Sequence, residues 1–269
     1  SQTVASVDLA QALDKAGRES GTRAKVHIKI DTGMHRQGFD SGELECAAKR
    51  LAAMRGICWE GAYSHFAESD APDKSFSLLQ MERFSRALGI LGAAGIDVEI
   101  AHIANSAAIL EIPGSAFDMV RPGIILYGLS PNGSSSPEGF APVMSLRARI
   151  AAIRAVGEGE GVGYGLTHRV LKPSRLGLLQ VGYADGYPRI VSNRAQVFLR
   201  GRRIPVVGRI CMDQTMIDIT DMPEAALGDE AILFGIPQLP ASELASLAGT
   251  IDYEITCGIS PRVPRIYTE

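Results

Sequence analysis

Apolar and polar positions follow two rhythms in the first half of the chain. At Val26, Ile28 and Ile30 apolar residues alternate with His27, Lys29 and Asp31, the two-residue period of a strand. Asp31-Thr32-Gly33 then reads as a turn, and Gly38 ends the segment. Other segments have helical spacing. Leu9, Ala10, Leu13 and Ala16 predict a helix over 7–19. Leu44, Ala47, Ala48, Leu51 and Ala52 predict a second, which Ser41 can cap and Gly56 stops. Phe76, Leu79, Phe84, Leu88 and Leu91 predict a third over about 73–94, ended by Gly95. Short runs at 3–6, 57–63, 98–103 and 117–120 read as further strands, with a short helix after Asn105-Ser106.

Strand–helix repetition predicts a parallel sheet with right-handed crossovers. The residues after successive strands are Arg36, His65, Asn105-Ser106 and Arg121-Gly123-Ile124. A barrel or open α/β sheet presents its functional groups there. A surface strand with a solvated Lys29, Asp31 and Arg36 remains the other reading of that segment. A closed eight-stranded barrel takes about 250 residues. This region holds about five strand–helix units at roughly 30 residues each. Either the sheet is open or its first units are absent.

The rhythm changes after residues 131–140, a polar stretch without periodicity that reads as a linker. Runs at 144–156, 175–183, 195–199, 204–210, 215–219 and 230–234 predict short strands of a β domain. One helix, about 241–247, interrupts them.

Composition narrows the function. The chain has 269 residues, long enough for two domains, and 21% are charged, with a net charge of -3. No long Lys/Arg run offers a footprint for nucleic acid or a membrane surface, and no apolar run has the length of a membrane span. Cys46, Cys58, Cys211 and Cys257 are widely spaced, which predicts a reducing, cytoplasmic setting rather than a disulfide framework or a zinc site. His65, Glu68 and Asp70 match no common ligand spacing, so no metal is expected. The first residues lack signal-peptide character and an initiator Met, which predicts processing or a longer parent. No ATP-type P-loop occurs. Ser106 and Gly123-Ile124 sit where backbone N–H groups bind a single phosphate, although Ser106 also reads as a plain helix cap.

Eight segments carry a resemblance: VHIKIDTGMHRQGF at 26–39, SHFAESD at 64–70, HIANSAA at 102–108, MVRPGIILYGLSP at 119–131, VGYG at 162–165, VGYADGYPR at 181–189, VGRICMDQTMIDI at 207–219 and SPRVPRIY at 260–267. Together, in this order, they resemble the alanine racemases, fold-type III enzymes that use pyridoxal 5′-phosphate. The implied fold is α/β plus β: a partial (β/α) TIM-type barrel over 1–135 on the cofactor-binding side, then a C-terminal all-β domain over 136–269. The implied activity is interconversion of L- and D-alanine by two-base proton transfer, which supplies D-alanine for peptidoglycan.

The resemblance implies roles at matching positions. Lys29 matches a lysine often carbamylated in the family, and a carbamate there would hold Arg36. Arg36 looks like the group that receives the substrate carboxylate or the cofactor's phenolic oxygen. His65 looks like the histidine beside the cofactor; Ser106, Gly123 and Ile124 look like the phosphate cradle. Arg121 looks like the arginine facing the pyridine nitrogen. Arginine is always cationic and only donates, so that nitrogen stays unprotonated, and reprotonation at Cα is favoured over transamination. Tyr164 looks like one catalytic base, with His65 and Arg121 as the neighbours that must tune a phenol of ordinary pKa near 10. Without the family it reads as a half-buried tyrosine in a strand turn. Cys211, Met212 and Asp213 look like the substrate-carboxylate loop and Tyr183 like an entrance residue. In the family Tyr164, Tyr183 and Met212 serve the partner subunit's cofactor, which implies a head-to-tail homodimer.

Two departures stand out. The family's Schiff-base lysine lies in a segment like VVKANAYGHG, and none of Lys15, Lys25, Lys29, Lys49, Lys74 or Lys172 has that context. With the length argument, this predicts an absent N-terminal piece of about three strand–helix units and a chain that is inactive by itself. Pro261 stands where many members have tyrosine, so it offers the phosphate no donor. Two other readings remain: a non-catalytic dimerisation homologue that does not bind the cofactor, and a fold-type III decarboxylase, against which HIANSAA and ICMDQTMIDI argue. Serine or another small amino acid remains open as substrate.

Overall fold

A computed structural model describes residues 1–133 and 136–268. The chain forms two compact units, Ser1–Leu126 and Tyr127–Glu269.

The first unit is an open parallel sheet with helical crossovers. Strands β1 (Gln2–Val4), β2 (Ala24–Lys29), β3 (Ile57–Tyr63) and β4 (Ile100–His102) pair in sequence order. Helices α1 (Val7–Ser20), α2 (Ser41–Ala52) and α3 (Ser75–Ala93) connect them, and α4 (Ser106–Glu111) comes after β4. One face of the sheet is core: Val4, Val26, Ile28 and Ile57 are fully buried with Leu44, Leu51 and Phe84 from the helices. Removing Phe84 from that packing would cost about 3–5 kcal/mol.

Local chemistry sets the helix ends. Ser6 caps α1 by accepting from the Leu9 N–H, and Gly21 ends it at φ 68. Asp40, rather than Ser41, caps α2, in a reciprocal capping box with Glu43. Gly17 and Gly56 let α1 lie directly against the turn before β3, since a Cβ on Gly17 would stand 2.1 Å from the Gly56 carbonyl oxygen. The Gly56 N–H donates to Asp14 Oδ1 there at 2.7 Å.

The sheet departs from the sequence expectation once. Residues 117–120 form no strand. Phe117 has a φ of 49, which turns the chain. The Asp118 carboxylate then takes a ladder position, accepting from the Ala101 N–H at 2.9 Å while the Asp118 N–H donates to the Ala101 carbonyl.

The second unit is built on a six-stranded antiparallel sheet. Its strands are β5 (Leu146–Val156), β8 (Ser174–Leu179), β9 (Gln196–Leu199), β10 (Arg202–Pro205), β11 (Thr215–Asp218) and β12 (Glu230–Phe234), in the order β10-β9-β12-β5-β8-β11. An antiparallel bridge from Val206 to Ile217 joins the two ends of that order and closes the sheet on itself. A small pair, β6 (Gly161–Val162) with β7 (His168–Arg169), carries the VGYG turn. The strand expected over 204–210 ends at Pro205, which has no N–H to continue a ladder, and Gly208 turns at φ 74. Helix α5 (Ala241–Ala248) was expected; the six-residue α6 (Asp252–Cys257) was not, because so short a run shows no period. Across the linker, the Val143 N–H donates to the Tyr127 carbonyl, joining the residues on its two sides; residues 134 and 135 of the linker lie outside the described residues.

Candidate active site

Strand β2 delivers Lys29 to the face opposite the core, with its residue only 3% exposed. The Lys29 ammonium donates to the Ile30 carbonyl at 2.9 Å. Burial pulls its pKa down to about 8, and the nearby Arg121 and Arg36 add to that. The solvated Lys29–Asp31 pair is therefore not what forms. Asp31 instead turns its Oδ1 to the backbone N–H groups of Gly33, Met34 and His35 and shapes the loop that leads to Arg36. Arg36 is exposed at the rim.

Loops after β3 and β4 bring His65 and Arg121 to the same place. A cleft of about 480 Å³ is lined by Lys29, Arg36, Tyr63, His65, His102 and Arg121, among others. Arg121 is its most constrained side chain. One guanidinium nitrogen donates to His102 Nδ1 at 2.5 Å, and the other to the Ser64 carbonyl at 2.7 Å and His65 Nδ1 at 3.1 Å. Because arginine only donates, each imidazole presents a lone pair on Nδ1 and carries its proton on Nε2. Burial holds both histidines down to about 4, and the Arg121 charge contributes. Both are neutral near pH 7. Tyr63 supports this group: its ring stacks on His102 at 5.0 Å between centroids, and Lys29 and Arg121 each lie 5.3 Å from its centroid. With Lys29, Arg36 and Arg121 around it, the cleft suits an anionic ligand.

A buried polar support stands behind His65. Gln80 of α3 is fully buried; it donates to the His65 carbonyl and to Thr32 Oγ1, and accepts from the Ala67 N–H.

Ser106 begins α4, but Asn105 is the cap, accepting from the Ala108 N–H. The Ser106 hydroxyl accepts from the Gly123 N–H at 2.8 Å. That spends the Gly123 N–H and leaves the hydroxyl proton of Ser106 as the donor. Ile124 comes next, buried at the start of a 3-10 turn over Ile124–Tyr127.

The remaining candidates lie in the second unit. Tyr164 sits in a tight turn between Gly163 (φ 68) and Gly165 (φ 72) and is 71% exposed. Its turn packs on Gly208-Arg209, and a Cβ on Gly208 would come within 2.8 Å of the Val162 carbonyl oxygen. Tyr183 and Ala184 N–H groups donate to the carbonyls of Cys211 and Met212 at 3.1 and 2.8 Å, so those two loops lie side by side. Gly182 makes this approach feasible; a Cβ there would stand 2.2 Å from the Cys211 carbonyl oxygen. Met212 and Asp213 are exposed, and burial with the Asp213 charge pushes the Cys211 thiol up. Arg262 donates to Asp185 at 2.6 Å, and Ser260 N–H to the Asp185 carbonyl, which ties the SPRVPR segment to GYADGY beside Pro261.

Residues 1–131 match the alanine racemase N-terminal domain and residues 143–267 the alanine racemase C-terminal domain. The chain belongs to the alanine racemase family. An alanine racemase of Desulfovibrio desulfuricans is 48% identical over 269 residues, covering all of this chain and 72% of that protein. A solved alanine racemase of Streptomyces lavendulae superposes with a TM-score of 0.94 at 35% identity, over 99% of this chain and 72% of that one. A racemase of Bartonella henselae, solved with covalently bound pyridoxal phosphate, gives a TM-score of 0.89 at 31% identity, over 99% and 72%. The partial barrel and the C-terminal β domain are thus the racemase architecture, and the family is one of isomerases.

Sequence reasoning gave no role to Tyr63, His102 or His27, although two lie within quoted motifs. The available signal was register: His27 and Lys29 alternate onto one face of β2, opposite Gly61 and Tyr63 of β3.

Proposed function

We propose that this chain carries the proton-handling and binding groups of an enzyme that interconverts L- and D-alanine with pyridoxal 5′-phosphate. The observation that carries the reading is Arg121, held as a pure donor by two neutral imidazoles in a cationic cleft. The donor set fits the cofactor: a donor-only group suits an unprotonated pyridine nitrogen, and the Ser106 hydroxyl proton with the Ile124 N–H suits its phosphate, while Gly123, expected in that cradle, gives its N–H to Ser106 and only shapes the turn. When bound, the cofactor withdraws electrons from the substrate and makes its Cα–H acidic.

The chain's own residues would do the rest. His65, with its lone pair turned to Arg121, leaves its Nε2–H as a donor that can hold a phenolic oxygen, so Tyr164 of a second copy can take and return a proton. Lys29, near pKa 8, offers the neutral amine fraction that carbamate formation needs, and the resulting anion would orient Arg36 toward the substrate carboxylate. Met212, flanked by Cys211 and Asp213, would meet that carboxylate, and Tyr183 would narrow the entrance. These assignments imply a homodimer. Four free cysteines suit a reducing cytoplasm, and D-alanine would serve peptidoglycan. Among the described residues Lys29 is the one lysine lining the cleft; with its amine assigned to the carbamate, the cleft offers no candidate for the Schiff-base lysine.

The test supplies the remainder of the Desulfovibrio desulfuricans relative in front of this chain, adds pyridoxal phosphate, and measures D-alanine formed from L-alanine. D-alanine from the fusion and none from the chain alone is expected. A folded, cofactor-loaded fusion that forms none would overturn the proposal.

A further inference from the structure

The bond from Arg121 to His102 is the first of a series. His102 Nε2 lies 2.9 Å from His27 Nδ1, and His27 Nε2 lies 3.4 Å from Glu60 Oε2. Arg121 can only donate, so His102 accepts on Nδ1 and carries its proton on Nε2. His27 must then accept on Nδ1 and carry its own proton on Nε2, the nitrogen that lies 3.4 Å from the Glu60 carboxylate. With this assignment every contact has one donor and one acceptor. The reverse assignment would set an N–H of His102 against an N–H of Arg121.

The backbone is shaped for this series. β2 and β3 pair Val26 with Trp59 but His27 with Gly61, so Glu60 is the extra residue of a bulge. Bulges re-aim side chains, and this one brings Glu60 beside His27. Gly61 then clears the space for the ring, because a Cβ there would stand 2.5 Å from His27 Nδ1. Glu60 is ionised: the Ser1 hydroxyl and the Lys25 ammonium both donate to it and hold its pKa well below the usual carboxylate range. Lys25, at 2.9 Å, meets Oε1, while His27 shares Oε2 with the Ser1 hydroxyl.

We propose that Glu60 is a positioning residue for Arg121: through His27 it selects the His102 tautomer whose Nδ1 lone pair holds the guanidinium. The consequence for catalysis rests on the reading that Arg121 faces the cofactor; the tautomers themselves do not.

The test is therefore made on the chain without cofactor, by long-range proton–nitrogen NMR of the imidazoles at pH 7. His27 and His102 should both carry the proton on Nε2. Glu60→Ala should move the His27 nitrogen signals toward a mixture of tautomers and shift His102 with them. Glu60→Gln, whose amide oxygen can accept from His27, should restore the original pattern. Lys25→Met, which removes the ion pair on the same carboxylate, should leave both tautomers unchanged. A wild-type His27 protonated on Nδ1, a Glu60→Ala spectrum like wild type, or the same change from Lys25→Met would each overturn the assignment. None of these outcomes depends on racemisation, so failure of the functional proposal would be recognised separately.

Discussion

In the first unit Lys29 is 3% exposed, His102 4% and Ser106 2%; in the second Tyr164 is 71% exposed, Met212 57% and Tyr183 43%. The first group is enclosed by its own unit's hydrogen bonds, from Gln80 behind His65 to His27 behind His102. The second group stands on tight glycine turns that fix the backbone and leave the side chains unsupported. The difference teaches that charge state is built into one set and only position into the other. Groups of the first set are already tuned, with Lys29 near 8 and both imidazoles near 4. The second set has no comparable enclosure within its own unit.

The largest effect should come from the exposed set. In the complete, cofactor-loaded enzyme, Tyr164→Phe should lower kcat by about 10²–10⁴-fold, the usual weight of a general acid–base group. Its stability should change by less than about 0.5 kcal/mol, because so exposed a side chain anchors nothing. A large drop in Tm would break the comparison. The enclosed set should behave in the opposite way. Gln80→Leu strands the Ala67 N–H and the His65 carbonyl and takes one of the two partners of Thr32 Oγ1, and should cost about 3 kcal/mol in urea unfolding.

Acid should also act on the enclosed set alone. His65 and His102 bind protons near pH 6.5 when unfolded but only near 4 when folded. Their contribution is fully present above about pH 6.5 and is lost as the pH falls toward 4. Urea midpoints at pH 7 and 4.5 should differ accordingly, and His102→Gln should reduce that difference. The smallest effect belongs to the surface of the second unit. Lys172 and Asp221 pair at 3.0 Å with side chains 61% and 77% exposed. Lys172→Ala should shift stability by at most about 0.5 kcal/mol.

Much of this was legible in the residues. Ile57–Tyr63 and Glu230–Phe234 formed as strands over the expected residues, because alternating apolar positions and flanking turn formers are local signals. Arg36, His65 and Arg121 were expected at the sheet's functional end and do line one cleft. The strand over 117–120 failed because nothing local announces a left-handed Phe117 or a carboxylate that replaces a ladder bond. His27 and Glu60 were passed over because a bulge one residue long shifts register without changing composition.

The sequence by itself determined most of the order of elements and the family, and it named the candidate groups, since periodicity, turn chemistry and motifs reside in neighbouring residues. Only the tertiary structure decided that Lys29 is desolvated, that the Gly123 N–H goes to Ser106, and which ring nitrogen of His102 faces Arg121. Proton affinity and hydrogen-bond polarity depend on partners brought together by folding. His27 and His102 meet across 75 positions of chain, a distance over which no local pattern reaches.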